Sequence, residues 1–165
     1  MRQPGHENSA MGLNAWVHCN CIKEGTALPH PFPQLLVFDE TGEPALQSDG
    51  EIGLELWLMH DEWYRNSCVH SGYLIKKRLG HIALVAHIRG FLEDNSPNDF
   101  PLLLERAVYN GGHSGDWIAA RDVPQLMRET RKLQGLTRDP LILEFTKDVM
   151  ELAEASLATG NPIVF

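Results

Sequence analysis

Hydrophobic and polar positions alternate along residues 12–21, the first regular pattern in the chain. One set of alternate positions is apolar or carries a thiol: Leu13, Ala15, Val17, Cys19 and Cys21. This period of two predicts a half-buried β-strand. Three prolines in residues 28–33 predict a rigid loop, because proline has no backbone donor and restricts its neighbours. Residues 34–39 then form a second apolar strand, and residues 40–44 form a turn.

Four later segments repeat hydrophobic residues at helical spacing, namely residues 51–66, 81–92, 122–134 and 140–159. Asp49 is placed to cap the first of these helices, because a carboxylate accepts hydrogen bonds from the free amides of a helix start. Gly135 is predicted to end the third helix and Pro140 to begin the fourth. The pattern therefore indicates at least four helices.

Three shorter segments complete the pattern. Residues 72–79 are predicted to be extended, residues 100–109 to be a short helix that turns into a strand, and residues 163–165 to be an apolar tail that adds a strand. Residues 11–165 are therefore predicted to form one α+β domain, with a short mixed or antiparallel sheet packed with four to five helices. Residues 1–10 are predicted to be a flexible N-terminal extension.

Composition and charge limit the classes of partner. Asp and Glu outnumber Lys and Arg by 22 to 14, so the net charge is -8 and a basic protein is a better partner than nucleic acid. The N-terminus does not resemble a secretory signal, and no stretch is apolar enough to predict a membrane span. Three cysteines are an odd number, so reduced thiols and a cytoplasmic location are expected rather than a disulfide framework.

The cysteines fall in two short motifs, Cys19-Asn20-Cys21 and Cys68-Val69-His70. Residues two apart in an extended chain point to the same side, so each motif can direct two ligands towards one point. Three thiolates and one imidazole are a known ligand set for structural zinc. We therefore predict a metal site formed by Cys19, Cys21, Cys68 and His70.

Alternatives to this site remain open at the level of sequence. His18, His60 or His113 can replace one of the four ligands, and a water in one position would give a hydrolytic rather than a structural zinc. The cysteines can also be buried free thiols, since free cysteine packs as a small hydrophobic residue. Redox chemistry is disfavoured, because no Cys-x-x-Cys motif is present and Lys23 is the cation nearest to Cys19 and Cys21.

A glycine-rich stretch at residues 110–116 is a second candidate site. Its backbone amides, together with His113, Ser114 and Asp116, have the chemistry to hold an anion. It lacks the Lys-Ser/Thr pair of a phosphate-binding loop and does not match the Gly-x-Ser-x-Gly motif of hydrolases. A tight turn before a helix is therefore the favoured interpretation.

Several of these motifs together resemble a group of small uncharacterised bacterial proteins. The similarity lies in the Cys-x-Cys and Cys-x-His pairs, in the Asn-Gly-Gly-His-Ser-Gly-Asp stretch from Asn110 to Asp116, and in the closing Gly160-Asn161-Pro162. Proteins of this kind are often immunity proteins that protect against bacterial toxins. The resemblance implies a binding protein that neutralises a basic toxin by direct contact.

Two other functions are weighed against this one. A zinc-dependent hydrolase would use the Cys/His site, and a scaffold protein would keep its thiols buried and free. No catalytic set is recognisable in the sequence, so we expect a protein without catalytic activity of its own, with a structural zinc as the only cofactor considered.

Overall fold

The computed structural model describes residues 11–165, and the predicted flexible extension at residues 1–10 lies outside this range. The strands are β1 (Gly12–His18), β2 (Leu36–Phe38), β3 (Pro44–Leu46), β4 (Tyr73–His81), β5 (Trp117–Ile118) and β6 (Ile163–Val164). The α-helices are α1 (Leu54–Asn66), α2 (Ile82–Asp94), α3 (Val123–Leu136) and α4 (Pro140–Thr159). A five-residue π-helix spans Leu103–Ala107. Within this range no helix has the length and apolar character to cross a membrane.

The main sheet has four strands in the order β4-β1-β6-β5, and every neighbouring pair is antiparallel. Strand β1 lies between β4 and the C-terminal strand β6, so the two ends of the described chain meet in the sheet. The pair β2-β3 forms a separate two-stranded antiparallel sheet. The predicted α+β class, with an antiparallel sheet and four to five helices, is confirmed.

Helices α2 and α4 pack against β1 and β4 and enclose the main hydrophobic core together with α3. Phe100 and Phe145 are its largest buried side chains, at 0% and 1% exposure. Among the described residues, none between positions 18 and 74 belongs to this core. The section from Cys19 to Gly72, which contains α1 and the two-stranded sheet, therefore depends on other interactions for its position.

Two predicted elements match the structure closely. Pro140 begins α4 and Gly160 ends it in a left-handed conformation, with φ of +74°. The terminal tail adds strand β6, which pairs with β1 and β5. The prediction of the two helix ends rests on strong local signals, since proline favours the first turn of a helix and glycine favours the position just after its end.

Other boundaries differ for local reasons. Gly53, and not Asp49, occupies the N-cap of α1, and no side chain caps that helix. Gly135 lies inside α3, which ends one residue later at Leu136. Strand β1 ends at His18 because the chain turns at once: Glu24 donates its amide to the Asn20 carbonyl, and Thr26 donates to the Cys21 carbonyl.

Two short strands were not recognised in the sequence. Proline at position 44, which was assigned to a turn, begins β3, and Trp117 and Ile118 form β5. The strand predicted at the end of residues 100–109 is absent, because the chain there continues into the π-helix. The two missed strands, β3 and β5, are three and two residues long, which is too short to show a hydrophobic period.

Candidate metal centre

Two turns bring Cys19, Cys21, Cys68 and His70 together. Cys19 directly follows β1 and Cys21 lies in the next turn, whereas Cys68 and His70 occupy the turn between α1 and β4. The four ligand atoms all lie within 4.8 Å of one another. The pairs therefore converge as predicted, although they do so from turns rather than from extended strands.

The distances fit a small tetrahedral metal. With a Zn–S distance of about 2.3 Å and a Zn–N distance of about 2.1 Å, neighbouring ligand atoms lie about 3.5 to 3.8 Å apart. The Sγ atoms of Cys19 and Cys68 are 3.7 Å apart, and Sγ of Cys21 lies 3.1 Å from Nδ1 of His70. Shifts of a few tenths of an ångström up to about one ångström bring every pair into this range.

Backbone hydrogen bonds hold both turns in place. The amide of Cys19 donates to the Gly72 carbonyl at 3.1 Å, which joins the first turn to the second. Within the second turn, the Ser71 amide donates to the Cys68 carbonyl at 3.1 Å and the Tyr73 amide to the His70 carbonyl at 3.0 Å. Ser71 and Gly72 both have positive φ, at 49° and 86°, and so reverse the chain directly after His70.

The two thiols that face each other differ in acidity. Burial raises the pKa of the Cys19 thiol to about 12. Burial also acts to raise the pKa of Cys68, but hydrogen bonds from the backbone amides of Gly72 and His70 outweigh it, and the net pKa is lowered. Of these two thiols, Cys68 is therefore the one that loses its proton more readily, because backbone amides stabilise its thiolate.

Asn161, just beyond α4, ties the first turn to the C-terminus. Asn161 is buried. Its side-chain nitrogen donates to the His18 carbonyl and to Oδ1 of Asn20, both at 2.8 Å, and its side-chain oxygen accepts from Lys23 at 3.0 Å. Asn20 in turn donates to the Thr159 carbonyl at 2.8 Å. The sequence offered Asn161 only as part of a helix stop, because its partners lie far away in the chain.

His18 is committed to a buried hydrogen-bond chain and not to the metal group. The Trp16 indole N–H donates to its Nε2 at 3.2 Å, so Nδ1 carries the proton and donates to the Tyr64 hydroxyl at 2.8 Å. Tyr64 completes the chain by donating to the Gly72 carbonyl at 3.3 Å. Burial lowers the pKa of His18, although a hydrogen bond with the Gly72 backbone and the charge of Asp39 both act to raise it.

His60 belongs to a second buried chain of hydrogen bonds, which joins two imidazoles. The Phe32 amide donates to Nδ1 of His30 at 2.9 Å, and Nε2 of His30 and Nδ1 of His60 are 3.1 Å apart. Nε2 of His60 lies 3.1 Å from the Pro44 carbonyl. Every contact is satisfied if both rings are neutral with the proton on Nε2, whereas a second proton on either ring would set two N–H groups against each other.

Acidification is expected to destabilise the protein through the buried His30. Burial and the neighbouring His60 lower the pKa of His30 from its ordinary value of 6.5. The unfolded chain therefore takes up protons first, so the stabilising contribution is present above about pH 6.5 and is lost as pH falls through the lower folded-state pKa. The free energy of unfolding, measured with urea, should be smaller at pH 5.5 than at pH 7.5.

A His30→Gln variant tests the cause of this pH dependence. Its unfolding free energy should change less between pH 7.5 and pH 5.5 than that of the unmodified protein. The Cys/His group is common to both proteins, so its own pH dependence cancels in the comparison. Equal changes in the two proteins would show that His30 is not responsible.

The structure places His113 in the glycine-rich loop and not with the four ligands. Its Nε2 lies 2.8 Å from the Ala107 carbonyl, and its Nδ1 lies 3.0 Å from the Asp116 carboxylate without the geometry of a hydrogen bond. Tyr109 donates a short hydrogen bond to the same carboxylate. The loop also binds the C-terminus, because Gly115 donates to the Phe165 carbonyl at 2.7 Å and Phe165 donates to the Asp116 carbonyl at 2.9 Å.

The chemistry available at the Cys/His group follows from its composition. Three thiols and one imidazole are soft ligands that suit zinc, and no Asp or Glu in residues 11–165 joins them. Cys19 is buried, Cys21 and Cys68 are partly buried, and His70 is exposed, so the group lies at the edge of the structure. A scan of protein-family models and searches of curated proteins and of solved structures found nothing that matches the chain.

Proposed function

We propose that Cys19, Cys21, Cys68 and His70 bind one zinc ion. The observation that carries this proposal is the convergence of all four ligand atoms within 4.8 Å, from two turns that are widely separated in the sequence. Buried thiols that serve only as core residues would not be expected to gather with an imidazole at the edge of the fold. Thiolate and imidazole ligands in this number form closed structural zinc sites in many small domains.

The position of the group favours a structural role for the metal. The section from Cys19 to Gly72 contributes no residue to the main core, and its large buried hydrophobic side chains are limited to Leu46, Trp63 and Tyr64. A metal that joins the turn after β1 to the turn after α1 would fix both ends of this section. Metal binding stabilises such weakly packed segments because the ligands gain the binding free energy only when they are held together.

A catalytic zinc is the alternative, and it requires an open coordination position. Here the four side chains supply a full shell of ligands. A shallow groove runs beside the group and contains Glu24, the carboxylate that a hydrolytic mechanism would have to use as a base. Glu24 is exposed to solvent and is not among the clustered ligand groups, and we therefore propose a structural site.

Elemental analysis of the purified protein tests the zinc proposal. We expect about one zinc per chain, and less than about a tenth of that in Cys68→Ser. His87→Gln is the matched control for His70→Gln, because His87 is an exposed histidine that pairs with Asp139 and lies outside the group. His70→Gln should lose zinc and His87→Gln should retain it. A protein that folds normally with no metal, and no zinc uptake on addition of Zn²⁺, would contradict the proposal.

For the chain as a whole, we propose a binding protein of the immunity type that neutralises a bacterial toxin by direct contact. Two observations support a basic protein partner: the net charge of -8, and a helix face on which apolar and acidic side chains are exposed together. The test is genetic. A strain that lacks this chain should be inhibited by its own parent strain in mixed culture, and expression of the chain should restore growth. Equal growth of both strains would contradict this function.

A further inference from the structure

Helix α1 carries its apolar residues on the outside. The side chains that it buries are His60, Trp63 and Tyr64, which make polar and aromatic contacts. Leu54 and Leu58 are 74% and 60% exposed, and Trp57 is 45% exposed. The spacing of these three residues places them on one side of the helix. We call Leu54, Trp57 and Leu58 the apolar stripe.

Carboxylates surround the apolar stripe. The exposed acidic residues of α1 and of the segment just before it are Asp49, Glu51, Glu55, Asp61 and Glu62. Arg65 is the only lysine or arginine in α1, and it forms an ion pair with Asp61 at 2.7 Å. Glu55 and Glu62 are seven residues apart and so follow the same edge of the stripe. The surface therefore combines hydrophobic contact area with a strong negative charge.

We propose that the apolar stripe and its carboxylates are the docking surface for a basic, amphipathic segment of a protein partner. This inference rests on the proposed partner-binding function. Leucine and tryptophan supply the desolvated centre of such an interface, and the carboxylates steer and pair with lysine or arginine at its rim. A second copy of this chain is a poor occupant, because the same acidic residues would then lie on both sides of the interface and repel each other.

The metal group follows the C-terminal end of the same helix, whereas the stripe lies on its N-terminal half. Helix α1 ends at Asn66, and Cys68 follows two residues later. A bound zinc would therefore hold the C-terminal end of the helix, while Tyr64 and Trp63 hold its inner side through hydrogen bonds to His18 and to the Leu28 carbonyl. A helix fixed in this way presents its stripe to a partner without a large ordering cost on binding.

The test compares two exposed leucines in the growth assay described above. Leu58→Lys places a positive charge in the stripe, and Leu141→Lys is the matched control on α4, where Leu141 is 57% exposed. Both variants should fold with unchanged thermal midpoint and zinc content. Leu58→Lys should lose protection and Leu141→Lys should keep it. Protection by both variants would overturn the docking surface while the immunity function stood.

A binding measurement separates failure of the surface from failure of the function. The probe is a synthetic amphipathic helical peptide of leucine and lysine, and its control replaces every lysine by glutamate. We expect the lysine peptide to bind, with an affinity that falls as salt is raised. Trp57→Ala should weaken binding by about 30-fold, as expected for a central aromatic side chain.

Every other outcome of these measurements either supports or overturns the docking surface. Equal binding of the two peptides, or no loss of affinity in Leu58→Lys, would overturn it even if the growth assay showed protection. Binding of the lysine peptide alone would support the surface even if the parent strain proved harmless, in which case the partner is a basic protein other than a toxin. Dimerisation of the free protein that Leu58→Lys abolishes would overturn the assignment, because the occupant would then be a second copy.

Discussion

Removal of the proposed zinc ion should lower the thermal unfolding midpoint by roughly 10 °C, since loss of a structural metal costs several kcal/mol and each kcal/mol shifts the midpoint of a domain of this size by about 2 to 4 °C. The reason lies in the distribution of the core. Residues 19–72 supply none of the main hydrophobic cluster, so we expect their stability to depend more on the proposed metal than that of the main sheet does. The measurement is a thermal melt of the zinc-loaded protein with and without a strong chelator.

Hydrogen exchange should show where this stability is lost. We expect amides of α1 and of the β2-β3 pair to exchange much faster after chelation, whereas those of β1, β4 and α4 keep their protection. Cys68→Ser should reproduce the pattern without chelator, and His87→Gln should show the behaviour of the unmodified protein. Uniform protection before and after chelation would contradict a structural metal in this section.

The ends of α4 were predictable because their signals are local, and the apolar tail at residues 163–165 was predictable as a strand but not in its partners, β1 and β5, which the fold supplies. Pro140 and Gly160 have backbone preferences that act within one turn of helix. The start of α1 was mispredicted because Asp49 has the chemistry of a cap but not the position, which is occupied by Gly53. The π-helix replaced a predicted strand because Leu103 and Ala107 are buried while Glu105 and Arg106 between them are exposed, which is a helical spacing and not a period of two.

The residues of the candidate site likewise include some that the sequence identifies and some whose roles only the fold decides. Its four residues were found from the sequence because soft ligands are rare and occur there in two closely spaced pairs. The roles of His18, His60 and His113 were not accessible, because each is decided by a partner that the fold supplies, such as Tyr64 for His18 and the Pro44 carbonyl for His60. Residue type shows what a histidine is able to bind, whereas only the fold shows which group reaches it.

Substitution of Gly72 by alanine is expected to destabilise the protein by about 3 to 5 kcal/mol, which combines backbone strain with a steric clash in the interior. Gly72 has φ of +86°, and an added Cβ would lie 2.3 Å from the Tyr64 ring. Tyr64 has little room to move, because it is buried and its hydroxyl is hydrogen-bonded to Nδ1 of His18 and to the Gly72 carbonyl. Urea unfolding at pH 7.5 measures the loss.

Gly25→Ala is the matched control, because it separates strain from clash. Gly25 also has positive φ, at +71°, but nothing lies within 4 Å of an added Cβ there. This variant should lose only about 1 to 2 kcal/mol, the cost of a left-handed backbone for a residue with a side chain. Gly72→Ala should in addition lower the zinc content, since the Gly72 carbonyl accepts from the Cys19 amide and so aligns the two turns that carry the ligands. Equal losses in the two variants would show that Tyr64 yields to the added methyl group, and that the turn after His70 is held less firmly than its hydrogen bonds indicate.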